Sequence, residues 1–228
     1  MPPERQTPGD PEARPGRAAR LAVLLSGRGS NFLALHSALD RGEVPAEIVL
    51  VLSDVADAPG LARARELGLP AAAVPSRGAA SRAEHEAEVA AALAGAGAEW
   101  LCLAGYMRLL SADFVRRWRE RILNVHPSLL PAFPGLDAQG QALAHGVKVS
   151  GCTVHLVDEG LDSGPIVAQA VVPVEEGDDR ERLAARILAA EHRLYPRTLG
   201  RLLTERWEVR GRRLVFLGAG EDAPRAGA

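Results

Sequence analysis

"RLAVLLSGRGSNFLALHSALDRG", residues 20–42, is the stretch from which the fold can be read. Residues 20–26 form an apolar run without polar alternation, the signature of a strand covered on both faces. Residues 31–42 then switch to helical spacing, with Leu33, Leu35 and Leu39 as core candidates and Gly42 as the stop. A buried strand, a glycine-bearing turn and a helix make the first half of a βαβ unit.

The same rhythm recurs downstream. Strands are expected over 47–54, 70–75, 99–105 and 121–127, with helices over 60–68 and 81–97 and a short helix before residue 121. This alternation predicts an α/β fold: a Rossmann-like, mostly parallel twisted sheet with helices on both faces. Residues 149–160 and 165–174 are two strands joined by a short turn, so antiparallel strands join the sheet in the C-terminal half. Residues 178–205 form a long closing helix that Pro196 is expected to kink or split, and 207–217 a terminal hairpin.

Composition bounds what such a fold can do. At 228 residues and 47% hydrophobic, the chain can bury a full domain core. A net charge of -2 and only 4% aromatic residues exclude a basic, base-stacking nucleic-acid surface. Cys102 and Cys152 have no metal-ligand spacing and sit in apolar surroundings, so they are expected as buried free thiols in a reducing, cytoplasmic setting. The longest apolar region contains Glu99 and is broken by Gly95 and Gly97, so no membrane span is expected, and the N-terminus lacks the apolar core of a secretory signal. Residues 1–18 are expected to be a disordered extension, 19–217 the single working domain and 218–228 a flexible tail.

Ligands of such sheets gather beyond the carboxyl ends of the strands. Ser26 to Asn31 lies there. Gly27 and Gly29 let the backbone approach an anion, and the amides of Gly29, Ser30 and Asn31 open a helix whose dipole favours negative charge. Ser30 and Asn31 add side-chain donors or caps. The natural guest is a phosphate monoester. The lysine of a Walker loop and the third glycine of the dinucleotide fingerprint are both absent, and a plain capped turn fits the loop equally well.

"LNVHPSLLPAFPG", residues 123–135, is the candidate for chemistry, although a lone histidine near a proline is more often structural. Residues two apart in a strand share a face, so Asn124 and His126 project together where Pro127 ends the ladder. An amide beside an imidazole suits acyl transfer, one stabilising an oxyanion and the other moving a proton. "VDEGLDSGP", residues 157–165, offers carboxylates to orient the imidazole. Asp162 has the tighter setting; Asp158 and Glu159 are the other two acids, and an acidic hairpin turn without chemistry would show the same spacing.

Five segments in order, "SGRGSN", "AGYMRLLS", "LNVHPSLLPAFPG", "GCTVHLVDEGLDSGPI" and "AEHRLYP", make the chain resemble the folate-dependent phosphoribosylglycinamide formyltransferases over residues 20–205. The resemblance implies a formyltransferase domain that passes a formyl group from 10-formyltetrahydrofolate, as co-substrate, to the glycinamide amine in purine (IMP) synthesis, without a metal or a covalent enzyme intermediate. It implies that Gly29, Ser30 and Asn31 hold the nucleotide phosphate and that Glu191 contacts the ribose. Without it, Glu191 would be taken for a surface glutamate. It assigns Arg82, Met107, Arg108, Leu109 and Leu110, together with Asn124, Val157, Asp158 and Glu159, to folate. Without it, residues 107–110 would be taken for core at a strand end. Asn124, His126 and Asp162 match the catalytic trio. Thr153 and His155 match the strand leading into the acidic loop, with no chemistry assigned to His155. One departure stands out: where many relatives carry a histidine, this chain has Asp137.

Two related families share the His-Pro-Ser-Leu-Leu-Pro core. Methionyl-tRNA formyltransferase adds a C-terminal nucleic-acid-binding domain, for which this chain is expected to be too short. Formyltetrahydrofolate hydrolase adds an N-terminal regulatory domain that residues 1–18 cannot form. The expected partners are small molecules, with no nucleic acid and no membrane, and the expected assembly is a monomer or weak homodimer. A non-catalytic nucleotide-binding module would need no such trio.

Overall fold

A computed structural model describes residues 17–76 and 81–218. Nearly all of the expected terminal segments therefore lies outside the described residues. The chain runs β1 (Ala19–Leu25), α1 (Ser30–Asp40), β2 (Ala46–Ser53), α2 (Pro59–Glu66), β3 (Ala71–Ala73), α3 (Arg82–Gly95), β4 (Trp100–Leu103), α4 (Ala112–Arg117), β5 (Ile122–His126), α5 (Ala138–Ala144), β6 (Val149–Leu156), β7 (Ile166–Pro173), α6 (Arg180–Thr204), β8 (Trp207–Arg210) and β9 (Arg213–Phe216). The strands form one nine-stranded sheet in the order β3-β2-β1-β4-β5-β6-β7-β9-β8. The five strands from β3 to β5 are mutually parallel, whereas β6 and β7 add antiparallel, as the alternation predicts.

Strand alternation divides the core in two. Leu21, Val23 and Leu25 of β1 face Phe32, Leu35, Leu61 and Ile187 on the side of α1, α2 and α6. Ala22 and Leu24 face Val89, Leu93, Phe114 and Val115 on the side of α3 and α4. Both faces of β1 are therefore buried, which is why residues 20–26 read as a continuous apolar run. Cys102 and Cys152 are buried free thiols; burial pushes each up to about 12, so neither is a thiolate near neutral pH.

Helix α6 corrects one expectation. Pro196 does not split it: the helix runs unbroken from Arg180 to Thr204. The proline removes a backbone donor, but Tyr195, Pro196 and Leu199 are all buried against the sheet. The Tyr195 hydroxyl, 3.1 Å from Leu103 O and 2.8 Å from Leu123 O, adds a polar anchor to the strands beside the site. Helix α5 is an element the periodicity did not predict. Asp137 caps it, accepting from Gly140 N–H at 3.2 Å and from Arg180 Nε at 2.5 Å. The Arg180 guanidinium holds the Asp137 carboxyl below its usual range. No described helix is long and apolar enough to cross a membrane.

Candidate active site

On β5 and β6 the residue parity separates packing from chemistry. Leu123, Val125, Cys152, Val154 and Leu156 point into the core under α6. Asn124, His126, Thr153 and His155 therefore share the opposite face. Instead of a helix, the loops after β5 and β6 fold over that face. Thr153 fastens the first of them: its Oγ1 donates to Ser128 O at 2.7 Å and accepts from Leu130 N–H at 3.0 Å. The Leu130–Pro131 peptide within this loop is cis.

His126 is buried, and both of its ring nitrogens face an oxygen. Nε2 donates to Phe133 O at 2.9 Å, while Nδ1 lies 3.4 Å from Asp162 Oδ2. Asp162 Oδ2 also accepts from Gly135 N–H at 2.8 Å, tying the two loops together. Asp162 has φ 49 and Phe133 φ 53, left-handed values that L side chains disfavour. The His126 ring thus lies between a backbone carbonyl and a carboxylate. Asn124 Nδ2 lies 3.1 Å from His155 Nε2, and His155 Nε2 lies 3.9 Å from Asp162 Oδ1. The trio expected from sequence thus meets within one cluster, and His155 joins it.

The loop after β1 leads directly into the N-terminus of α1. Gly29 caps α1 with φ 73, a left-handed conformation suited to glycine, and a Cβ there would lie 3.2 Å from Gly60 Cα. The first N–H groups of α1 have no intrahelical acceptor. The expected side-chain cap is not present: no side chain caps α1, and Asn31 turns inward instead. Its Nδ2 donates to Glu191 Oε2 at 2.7 Å, and its Oδ1 is buried without a partner.

Glu191 is not a surface glutamate. It is only 5% exposed, and burial pushes its carboxyl up to about 7 against the opposing Asn31 hydrogen bond. The fold therefore binds its proton more tightly than the unfolded chain does. The resulting stability is full below about pH 4.5 and is lost as pH rises through about 7. Glu191→Gln, which keeps an acceptor for Asn31, is expected to match the wild-type melting temperature at pH 4.5. At pH 8 it is expected to exceed it, by on the order of 3 kcal/mol in unfolding free energy. Thermal melts at the two pH values check this.

Residues 107–109 are not core, whereas Leu110 packs against the core on the side of α3 and α4. Met107 and Leu109 are 67% and 65% exposed, and Arg108 is exposed beside them. Ser26, whose role was not visible in sequence, organises this rim: its Oγ donates to Asp54 Oδ1 at 2.5 Å and accepts from Met107 N–H at 2.8 Å. Arg82 Nη2 donates to Leu109 O at 2.6 Å, so the arginine supports the rim from α3. Leu110 is half-buried behind the exposed pair. Val157 and Asp158 are half-buried at the start of the acidic loop. Asp158 Oδ1 accepts from Ser163 Oγ at 2.8 Å, and Glu159 is exposed and pairs with Arg116 at 3.2 Å. Apolar side chains exposed beside a polar cluster suit a flat, partly apolar ligand.

Comparison with known proteins shows the family. The formyl transferase family matches residues 19–199. The phosphoribosylglycinamide formyltransferase of Bacillus subtilis is 41% identical over 184 residues, covering 81% of this chain and 94% of the relative. The trifunctional purine biosynthetic protein adenosine-3 of Drosophila pseudoobscura pseudoobscura is 51% identical over 185 residues, covering 80% of this chain. The chain spans only 14% of that relative's length. The crystal structure of glycinamide ribonucleotide transformylase 1 from Symbiobacterium toebii superposes with a TM-score of 0.86 at 48% identity, covering 89% of this chain and 96% of that one.

Proposed function

The chain belongs to the formyl transferase family and groups with its phosphoribosylglycinamide formyltransferases, and from that we propose that it passes the formyl group of 10-formyltetrahydrofolate to the amine of 5-phosphoribosylglycinamide. The contact that carries this reading is Asp162 Oδ2 at 3.4 Å from His126 Nδ1, on the face to which Asn124 also belongs.

The roles follow from charge development. The neutral glycinamide amine attacks the formyl carbon, and the carbonyl oxygen becomes an oxyanion. Asn124 N–H and the His126 imidazolium stabilise that charge; loss of one such donor costs about 3 to 4 kcal/mol in comparable sites. The new ammonium must lose a proton while the leaving folate nitrogen gains one. Asp162 accepts and relays that proton, through water, and its charge holds the imidazolium in place. The reaction is a direct transfer, with no bond to the protein.

The substrate sites are proposed from the same geometry. The N–H groups at Gly29, Ser30 and Asn31 take the phosphate, and Glu191 with the unpartnered Asn31 Oδ1 takes ribose hydroxyls. The folate lies along Met107, Arg108, Leu109 and Leu110, with Val157, Asp158 and Glu159 on its other side and Arg82 bracing the rim. Ser30→Ala and Asn31→Ala are expected to raise KM for the ribonucleotide about tenfold and KM for the folate less than twofold. Steady-state kinetics with each substrate varied in turn checks this.

The function itself is tested by offering the protein and its formyl donor three acceptors: glycinamide ribonucleotide, methionyl-tRNA and water alone. We expect tetrahydrofolate release with the ribonucleotide only. Formylmethionyl-tRNA, or free formate at the same rate without an acceptor, would contradict the proposal.

A further inference from the structure

We propose that His155 is a positioning residue for the transfer: it holds the Asn124 amide so that one amide N–H is aimed at the reacting carbonyl. This rests on the function proposed above and adds a residue to its machinery.

Asn124 and His155 are direct cross-strand partners in the antiparallel pairing of β5 with β6. His155 is 2% exposed. Its Nδ1 lies 3.0 Å from Leu156 O, and a carbonyl offers only lone pairs, so Nδ1 carries the proton. Burial, the largest influence on this ring, lowers its affinity for a second proton and leaves Nε2 bare. A bare Nε2 can only accept. The Asn124 atom 3.1 Å away must therefore be the NH2 end of the amide. One of its two hydrogens is used on His155. Asn124 makes no other side-chain hydrogen bond to described residues, so the second hydrogen is left for a ligand.

The surrounding charges set how the arrangement fails. Asp162, with Oδ1 3.9 Å from Nε2, and Asp158 favour a second proton on His155; His126 and burial oppose it. Once Nε2 is protonated it can no longer accept, and the amide must turn its oxygen to the ring. The donor then leaves the reacting carbonyl. This switch lies on the acid side of the ordinary imidazole range, because burial dominates.

Two substitutions separate positioning from packing. Leucine fills space without an acceptor. Glutamine can place an oxygen near the former Nε2 position, and it does not titrate. We expect His155→Leu to lower kcat about tenfold or more with both KM values within about twofold, and His155→Gln to recover most of that loss. A leucine variant with unchanged kcat, a glutamine variant as impaired as leucine, or a loss confined to KM would overturn the inference. If the leucine variant does not fold, the glutamine variant decides, and a kcat lowered tenfold or more in it overturns the inference. Absence of turnover by the wild type would instead defeat the function proposed for the site.

Discussion

His126→Ala is expected to lower kcat by about a thousandfold, or about 4 kcal/mol of transition-state stabilisation, while both KM values stay within about threefold. His126 Nδ1 faces a carboxylate and Nε2 a backbone carbonyl, so the ring is arranged to hold a positive charge. That charge matters most when the formyl oxygen becomes anionic and little while the substrates are merely bound. An interaction confined to the transition state appears in kcat. His126 belongs to the layered face of β5 and the loops over it, not to either apolar core, so the fold should survive. Steady-state kinetics beside a thermal melt checks both halves. A kcat within threefold of wild type would remove His126 from the mechanism.

Asp162→Asn is expected to be comparably severe, with kcat lower by about 10² to 10⁴. Asparagine keeps an oxygen for Gly135 N–H, so the bridge between the loops can persist. What disappears is the carboxylate beside His126 Nδ1 and, in the proposed mechanism, the group that accepts a proton from the new ammonium. The left-handed backbone at Asp162 also suits asparagine better than most residues, which limits structural side effects. The loss is therefore expected without a fall of more than a few degrees in melting temperature. Activity within tenfold of wild type would mean that the proton takes another route.

Much of this was legible in the sequence, for identifiable reasons. The sheet was legible because β1, β2 and β4 are buried on both faces and read as unbroken apolar runs. The Asn124–His126 pair was legible because strand parity is local. Glu191 was not: its burial depends on Asn31, a partner 160 residues away. Met107 and Leu109 were misleading on composition alone, because apolar character says nothing about whether protein or ligand covers a side chain. Helix α5 was missed since seven residues containing Gly140 carry little periodicity, and its cap, Asp137, depends on Arg180 from another element. Pro196 was expected to kink or split α6, and the helix is not split: its buried residues include Tyr195, Pro196 and Leu199. His155 was assigned no chemistry; the register that sets it opposite Asn124 belongs to strand pairing, which one strand's sequence does not encode.

The central claim is that two bound molecules meet at one carbonyl beside Asn124, His126 and Asp162. A crystal structure of the protein with the ribonucleotide and a formyl-folate analogue tests it most directly. It should place the glycinamide nitrogen about 3.5 Å from the carbon to be attacked, that carbon's oxygen within hydrogen-bond reach of Asn124 and beside the His126 ring, and the phosphate on the amides of Gly29 to Asn31. A phosphate bound elsewhere, or a formyl carbon out of reach of His126, would contradict the account.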